Sequence, residues 1–291
     1  MIQEITVRSP AKINLTLDVS GLRADGYHQL RSVVHTIGIY DTIHFDFGGA
    51  GLRFRCDQSE LCSDDNLCLK AARLWEIGAN RVLDCEIELH KTIPTGAGLG
   101  GGSGNAAATL LTLNRHFDGV LDDGKLHEIA AKLGADVPLF LRGGCQLIEG
   151  IGEKIRPLRS LDGWILIAQP TKSLSTPQVF RRFDELRSPS NGATDQVLEA
   201  IENGANWLEI APLLSNDLTQ AAQSLVSQIS ELIGAMKKAG AIGAIMTGSG
   251  SAVFGVFRDE KTARSALHEM QSNNWNFLQV APLVPCGGAS R

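Results

Sequence analysis

The chain has 291 residues, of which 43% are hydrophobic, and its 27 basic and 32 acidic residues leave a formal net charge of −5. This length can bury a large core and exceeds the usual size of one domain, so we expect two domains that share a cleft. The net negative charge argues against nucleic-acid binding, and any bound phosphate must be held by backbone dipoles and a few placed cations.

Hydrophobic and polar residues alternate from Ile5 to Val19, which predicts a half-buried β-strand. Lys12 and Asn14 fall on its polar face. Sheets with one exposed face carry lysines routinely, so the sequence alone does not separate a solvated charge from a catalytic one. Because Glu4, Arg8 and Lys12 interrupt the first strand, it does not have the pattern of a signal segment, and we expect a cytoplasmic protein that does not enter a membrane.

An Asp-Gly turn signal at positions 25 and 26 predicts that Tyr27 and His28 leave a loop, where they could contact a ligand or simply face solvent. Further along, Asn66 precedes an amphipathic run that continues through Trp75. This pattern is typical of a helix with an asparagine N-cap.

The segment from Pro94 to Ala108 reads PTGAGLGGGSGNAAA, between a predicted strand, Cys85 to His90, and a helix-periodic run, Ala106 to Phe117. Glycine lets consecutive backbone N–H groups point at one centre, and a helix that begins near Ser103 would direct its positive end there. We therefore predict a phosphate-binding loop. A flexible linker is the alternative, but linkers are not normally flanked by such elements.

Other glycine-rich phosphate loops fit this sequence less well. A Walker A loop requires Lys and Ser or Thr after its last glycine, whereas Gly101 is followed by Gly102 and Ser103. Gly96, Gly98 and Gly101 satisfy the dinucleotide-binding pattern, but that fold needs a parallel strand with an acidic residue after the helix, and a second helix is predicted there. The strand, loop and turn motifs that accompany the protein-kinase glycine loop are absent from the sequence.

That second predicted helix, Asp123 to Leu133, leads through Gly134 to Asp136 among apolar neighbours. A buried carboxylate is costly unless it is paired, so Asp136 is either a structural ion pair or cap, or a functional group.

From Trp164 the pattern becomes a strand, a long loop and helices to about Lys238, followed by a strand pair around residues 247–251, a helix, Glu260 to Gln271, and a final strand near Phe277 to Leu283. This interleaving predicts a ferredoxin-like second domain. We place the domains at residues 1–160 and 161–291. The glycine turn at 247–251 has donors for an anionic substrate, or is an ordinary hairpin.

The loop residues Pro94 and Gly98 to Ser103 resemble the phosphate motif of the GHMP kinases. Three further segments, at 9–19, 23–30 and 247–257, are similar to the member of that family that acts in the non-mevalonate route to isoprenoid precursors. The resemblance implies an α+β, two-domain GHMP kinase fold, with an N-terminal ATP-binding domain like ribosomal protein S5 and a C-terminal ferredoxin-like domain on the substrate side. It also shows one departure, because Gly104 stands where that kinase often has a second serine.

The resemblance implies transfer of the γ-phosphoryl group of ATP to the 2-hydroxyl of 4-diphosphocytidyl-2-C-methyl-D-erythritol, with Mg²⁺ between the β- and γ-phosphate oxygens. Such a transfer needs a group that accepts the hydroxyl proton and a cation that favours the developing alkoxide. The resemblance implies that Asp136 and Lys12 supply them, and we predict that the two meet at salt-bridge distance across the cleft. Ser103 is a candidate metal ligand, although no carboxylate dedicated to the metal is identifiable. The implied nucleotide contacts are Pro94, Gly96, Gly98, Leu99, Gly100, Gly101, Gly102, Ser103, Gly104 and Asn66. The implied substrate contacts are Asn14, Tyr27, His28, Thr176, Phe180, Gly248 and Ser249.

Three other functions stay open on this sequence. A GHMP kinase for mevalonate, homoserine or a sugar would share the glycine loop but would not need the site at Tyr27 and His28. A nicotinamide-dependent dehydrogenase would bind NADH and not ATP. A nucleotide-binding regulator would bind ATP without turnover. For all of these we expect a small-molecule ligand and a monomer or weak homodimer.

Overall fold

The computed structural model describes residues 3–22, 26, 28–187, 190–271 and 273–286. Its strands are β1 Glu4–Asn14, β2 Thr16–Leu22, β3 His28–Asp46, β4 Leu52–Cys56, β5 Cys85–His90, β6 Cys145–Gly150, β7 Lys154–Pro157, β8 Trp164–Gln169, β9 Ser215–Asn216, β10 Gly243–Met246, β11 Val253–Phe257 and β12 Phe277–Pro282. Its α-helices are α1 Leu67–Ala79, α2 Gly101–His116, α3 Asp123–Leu133, α4 Val137–Arg142, α5 Thr176–Leu186, α6 Ala193–Glu202, α7 Trp207–Ile210, α8 Thr219–Leu225, α9 Gln228–Lys238 and α10 Glu260–Met270.

The strands form two sheets. The larger has eight strands in the order β4-β5-β3-β2-β9, with β1 and β6 also paired to β3 and β7 paired to β6. The smaller has four antiparallel strands in the order β10-β11-β8-β12. Helices α1 to α4 pack together beside the first sheet, and α9 and α10 lie against the second. This is the mixed architecture that the sequence predicts.

The N-terminal strand is divided, contrary to the prediction of one strand from Ile5 to Val19. It breaks at Leu15 into β1 and β2, and the pairing of β1 with β3 shifts register between Pro10 and Ala11. Only the first part of β1 alternates between partly buried and exposed residues, because from Ser9 onward every side chain is buried. The polar face expected there is therefore enclosed by the rest of the molecule.

Several predicted elements are confirmed. The strand Cys85–His90 and the helix Asp123–Leu133 have the predicted bounds, and a strand pair flanks the glycine turn at 247–251.

His28 differs from the prediction: it does not leave a loop but opens β3, because the β2–β3 pairing extends to Leu22 and His28. Tyr27 lies outside the described residues. None of the described helices combines the length and apolar character of a membrane span.

The C-terminal part of the chain contributes directly to the first sheet. The short strand β9 pairs in parallel with β2, and Leu283 forms an isolated bridge with Ile37. One hydrophobic cluster joins Ile13 of β1 with Ile167 of β8 and Phe254 of β11. The two sheets therefore share a core, and the division between residues 160 and 161 stays a prediction. The cleft lies where the loops of both parts meet.

Candidate active site

A glycine-rich loop joins β5 to α2. Its Gly96, Gly98 and Gly100 have φ angles of 65°, 78° and 70°, in the left-handed region that favours glycine. Gly100 is the N-cap of α2, and the N–H groups in the first turn of a helix have no partner within the helix. The loop and the helix N-terminus thus offer backbone donors and a positive dipole end to an anion.

Close packing also requires glycine in this loop. A Cβ added at Gly98 would lie 2.4 Å from the carbonyl oxygen of Thr247, and one added at Gly100 would lie 2.9 Å from the Phe140 ring. At Gly104 a Cβ would lie 2.8 Å from both the carbonyl oxygen of Pro10 and the hydroxyl of Ser9. Gly104 therefore faces β1, and the backbone as it stands has no room for a serine there.

Lys12 and Asp136 meet as predicted. Lys12 Nζ lies 3.7 Å from Asp136 Oδ2, and the two side chains are 6% and 37% exposed. Asp136 precedes α4 without capping it, so its carboxylate makes no bond to the helix N-terminus. The backbone N–H of Lys12 donates to the carbonyl of Leu99 at 2.9 Å, which fixes β1 against the glycine loop. The pair therefore lies beside the candidate phosphate site.

Asn14 holds the ammonium of Lys12 in place. Its Oδ1 accepts a hydrogen bond from Lys12 Nζ at 2.7 Å, and its Nδ2 donates to the hydroxyl of Ser32 at 2.8 Å. The backbone N–H of Asn14 donates to the Thr247 hydroxyl at 2.9 Å. Sequence reasoning missed Ser32 and Thr247 at this position, because neither residue lies near Asn14 along the chain.

The turn between β10 and β11 is packed onto the glycine loop. The N–H of Ala252 donates to the carbonyl of Ala97 at 3.2 Å. Asn216, which sequence reasoning also missed, donates from Nδ2 to the carbonyls of Met246 and Gly248, both at 2.9 Å. The Ser249 hydroxyl lies 2.7 Å from the Thr176 hydroxyl of α5. The turn is thus fixed to both parts of the chain.

Two adjoining cavities occupy the cleft. The first, of about 240 Å³, collects many of the predicted site residues, namely Lys12, Asn14, Gly96, Gly98, Gly100, Asp136, Thr176, Phe180, Gly248 and Ser249. The second, of about 610 Å³, includes His28 and shares Leu30, Thr176 and Phe180 with the first. The cleft therefore has space for a phosphate-sized group beside a larger, partly apolar group.

His28 and Phe180 contact each other directly. Their rings are stacked with centroids 5.1 Å apart and an angle of 27° between the planes. His28 Nε2 lies 2.7 Å from Asp184 Oδ1. Asp184 follows Phe180 by four residues on α5 and so lies on the same helix face, which is the signal by which the sequence could have indicated it.

Asn66 is the N-cap of α1, as predicted. Its Oδ1 accepts from the N–H of Cys68 at 2.9 Å, and its Nδ2 donates to the carbonyl of Leu61 at 3.0 Å. Among the predicted nucleotide contacts, the residues that line neither cavity of the cleft are Asn66, Pro94, Leu99, Gly101, Gly102, Ser103 and Gly104. Contact of Asn66 with a nucleotide base stays a prediction.

Comparison with known families and proteins gives consistent matches. The family models described as the GHMP kinases N terminal domain and GHMP kinases C terminal match residues 66–144 and 197–276. The 4-diphosphocytidyl-2-C-methyl-D-erythritol kinase of Caldanaerobacter subterraneus subsp. tengcongensis is 35% identical, over 98% of this chain and 98% of its own. The protein of the same name from Synechococcus sp. is 37% identical, over 97% of this chain and 95% of its own.

Solved structures give the same result. A crystal structure of 4-(cytidine 5'-diphospho)-2C-methyl-D-erythritol kinase superposes with a TM-score of 0.83 at 32% identity, covering 96% of this chain and 99% of that one. Homoserine kinase from Cytophaga hutchinsonii superposes with a TM-score of 0.76 at 16% identity, covering 98% of this chain and 96% of that one. The second match supports the fold alone.

Proposed function

Since this chain belongs to the GHMP kinase family and is related along nearly its whole length to the 4-diphosphocytidyl-2-C-methyl-D-erythritol kinases, we propose that it catalyses their reaction. In that reaction the γ-phosphoryl group of ATP passes to the 2-hydroxyl of 4-diphosphocytidyl-2-C-methyl-D-erythritol. One observation carries the proposal: Lys12 Nζ and Asp136 Oδ2, 3.7 Å apart, share a cleft with the glycines of the phosphate loop.

In the proposed mechanism the ATP phosphates bind to backbone N–H groups of the loop and the first turn of α2. GHMP kinases use ATP as the phosphate donor, and the positive φ angles of Gly96, Gly98 and Gly100 turn the loop backbone as a phosphate cradle requires. Because the loop already holds these donors before ATP binds, the loop loses little conformational entropy on binding. The net charge of −5 makes such backbone binding more important than a general basic field.

Asp136 accepts the proton of the substrate hydroxyl as the hydroxyl oxygen attacks the γ-phosphorus. A bond forms between that oxygen and phosphorus, the bond to the bridging oxygen of ADP breaks, and the proton moves to the carboxylate. Lys12 stabilises the negative charge that develops on the attacking oxygen. Its orientation is set by Asn14, whose Oδ1 accepts from Nζ at 2.7 Å, so the ammonium is in place before the substrate arrives.

The residues present are compatible with Mg²⁺ bound mainly through ATP. Within the described ranges no three His, Cys, Asp or Glu side chains converge as a ligand set. Mg²⁺ in kinase sites is held by one or two protein oxygens together with substrate phosphates and waters. The Ser103 hydroxyl, in the first turn of α2, and the half-exposed Asp136 are two oxygen donors that could take this role. When bound, the ion would offset charge on the β- and γ-phosphate oxygens.

The cytidyl end of the acceptor fits the larger cavity. His28 and Phe180 line it, and an aromatic ring can stack on a base while an imidazole reads its polar edge. Thr176 lines both cavities, and Gly248 and Ser249 line the first beside it, so all three can contact the linking diphosphate. Tyr27 is proposed as a further contact to the base.

The test is a product assay with labelled ATP and a panel of acceptors. We expect phosphorylation of 4-diphosphocytidyl-2-C-methyl-D-erythritol, and little of mevalonate, homoserine or a hexose. The variant Asp136→Asn should lose about 10²–10⁴-fold in turnover while still binding ATP. The control Asp123→Asn changes an exposed carboxylate on α3 and should retain activity. Turnover of another acceptor, or tight NADH binding without ATP binding, would reject the assignment.

A further inference from the structure

A buried ion pair lies behind the phosphate loop and outside the cleft. The carboxylate of Asp41, on β3, contacts the ammonium of Lys91, and their side chains are 0% and 3% exposed. Neither residue lines the cavities of the active-site cleft. The mechanism proposed above does not use this pair, so its position needs a separate explanation.

Asp41 binds both ends of the phosphate loop. Its Oδ1 accepts from the backbone N–H groups of Thr92 at 2.7 Å and Ile93 at 2.8 Å, directly before the loop. Its Oδ2 accepts from Nδ2 of Asn105 at 2.8 Å, near the start of α2 and directly after the loop. One carboxylate therefore fixes the distance between the strand that enters the loop and the helix that leaves it.

The chemistry of a buried carboxylate makes this contact specific. A charge without partners in the interior is strongly unfavourable, so Asp41 needs its donors in place. Those donors reach it together only when the loop ends have this separation. Lys91 compensates the negative charge of this carboxylate close to the loop. Its ammonium lies beside Gly101, since a Cβ added at Gly101 would be 3.2 Å from Lys91 Nζ. The carboxylate can therefore fix the loop without repelling a bound phosphate.

We propose that Asp41 is a positioning residue for ATP, which acts by holding the phosphate loop in its binding conformation through Asn105. This inference rests on the proposed function, since it assumes that the loop holds the triphosphate. Asn105 is 2% exposed and so does not contact ATP itself. Loss of the Asn105 side chain should leave the Lys12–Asp136 pair intact. Part of the binding free energy of ATP would then be used to order the loop, so ATP would bind more weakly.

The variant Asn105→Ala tests the inference, with Asn114→Ala as a matched control. Asn114 lies on the same helix, is 9% exposed and also binds backbone, at Leu121, through two hydrogen bonds of 2.9 Å. We expect Asn105→Ala to raise the KM for ATP and the Kd for ADP about tenfold, the loss of one hydrogen bond to a charged group. Turnover at saturating ATP and the KM of the acceptor should stay within about threefold of wild type.

A purely structural role predicts another pattern. Both variants would then lower the melting temperature and leave nucleotide affinity unchanged, which would overturn the inference. Hydrogen exchange adds a direct readout, because amides of the loop at 96–103 should exchange faster in Asn105→Ala and not in Asn114→Ala. The variant Asp41→Asn should weaken ADP binding further, and if it does not fold, Asn105→Ala decides alone. ADP binding is measured by calorimetry without any acceptor, so an error in the assigned acceptor leaves this test intact.

Discussion

His35 should make the stability of this protein depend on pH. The residue lies on β3 and is fully buried. Its Nδ1 donates to the carbonyl of Thr36 at 2.8 Å, and its Nε2 accepts from the N–H of Leu161 at 3.2 Å, at the start of the C-terminal part. The second bond requires a lone pair on Nε2, so the ring is neutral. Burial lowers the pKa of His35 from 6.5 to about 4.

The size of the effect follows from this lowered pKa. In the unfolded chain His35 has its ordinary pKa of 6.5, so between pH 6.5 and about pH 4 the unfolded state binds more protons than the folded state. The free energy of unfolding therefore falls as the pH falls through this interval. The full loss is about 3 kcal/mol, of which roughly 2 kcal/mol is lost between pH 7 and pH 5.

The assay is urea unfolding at pH 7 and pH 5 for wild type and for His35→Gln. Glutamine keeps one donor and one acceptor but does not titrate in this range, so the variant should lose about 2 kcal/mol less than wild type between the two pH values. The control His127→Gln changes an exposed histidine on α3 and should behave as wild type. An equal pH dependence in wild type and His35→Gln would refute the reasoning.

Three further substitutions have defined outcomes. Gly98→Ala should lower kcat/KM at least about a hundredfold and reduce the melting temperature, because the new Cβ would meet the Thr247 carbonyl at 2.4 Å and the φ angle is 78°. The control is Gly102→Ala, whose Cβ would meet only Leu67 at 3.6 Å, and this variant should keep the wild-type melting temperature. Gly104→Ser should cost about 1–3 kcal/mol in urea unfolding, through overpacking against β1, without improving ATP affinity. Asp184→Ala should raise the KM of the cytidyl acceptor about tenfold in steady-state kinetics while the KM for ATP stays unchanged, because the His28 ring loses its partner at 2.7 Å.

Elements with strong local signals could be predicted from the sequence. Helix α3 begins after Asp122, which caps it through a bond to the N–H of Lys125 at 2.8 Å, and ends at Gly134. Both signals lie within the helix or beside it, and the predicted bounds are those observed. The turn signal at positions 25 and 26 predicts a loop at His28, whereas in the structure His28 pairs with Leu22 at the start of β3. A turn signal alone does not show how far such pairing extends.

The candidate site also has features that could be predicted from the sequence and features that could not. The Lys12–Asp136 pair could be predicted once the resemblance to the GHMP kinases implied phosphoryl transfer to an alcohol, because that reaction needs a proton acceptor and a cation whatever their separation in sequence. The burial of Lys12 could not be predicted, because part of its enclosure comes from a turn more than two hundred positions away, where Thr247 binds Asn14 and Gly248 lies beside the Lys12 ammonium. This enclosure has a chemical consequence. A lysine that is 6% exposed and bonded to Asn14 cannot reorient in solvent. In the proposed mechanism the fold itself therefore directs its charge at the reacting oxygen, and the C-terminal turn would contribute to catalysis through that orientation.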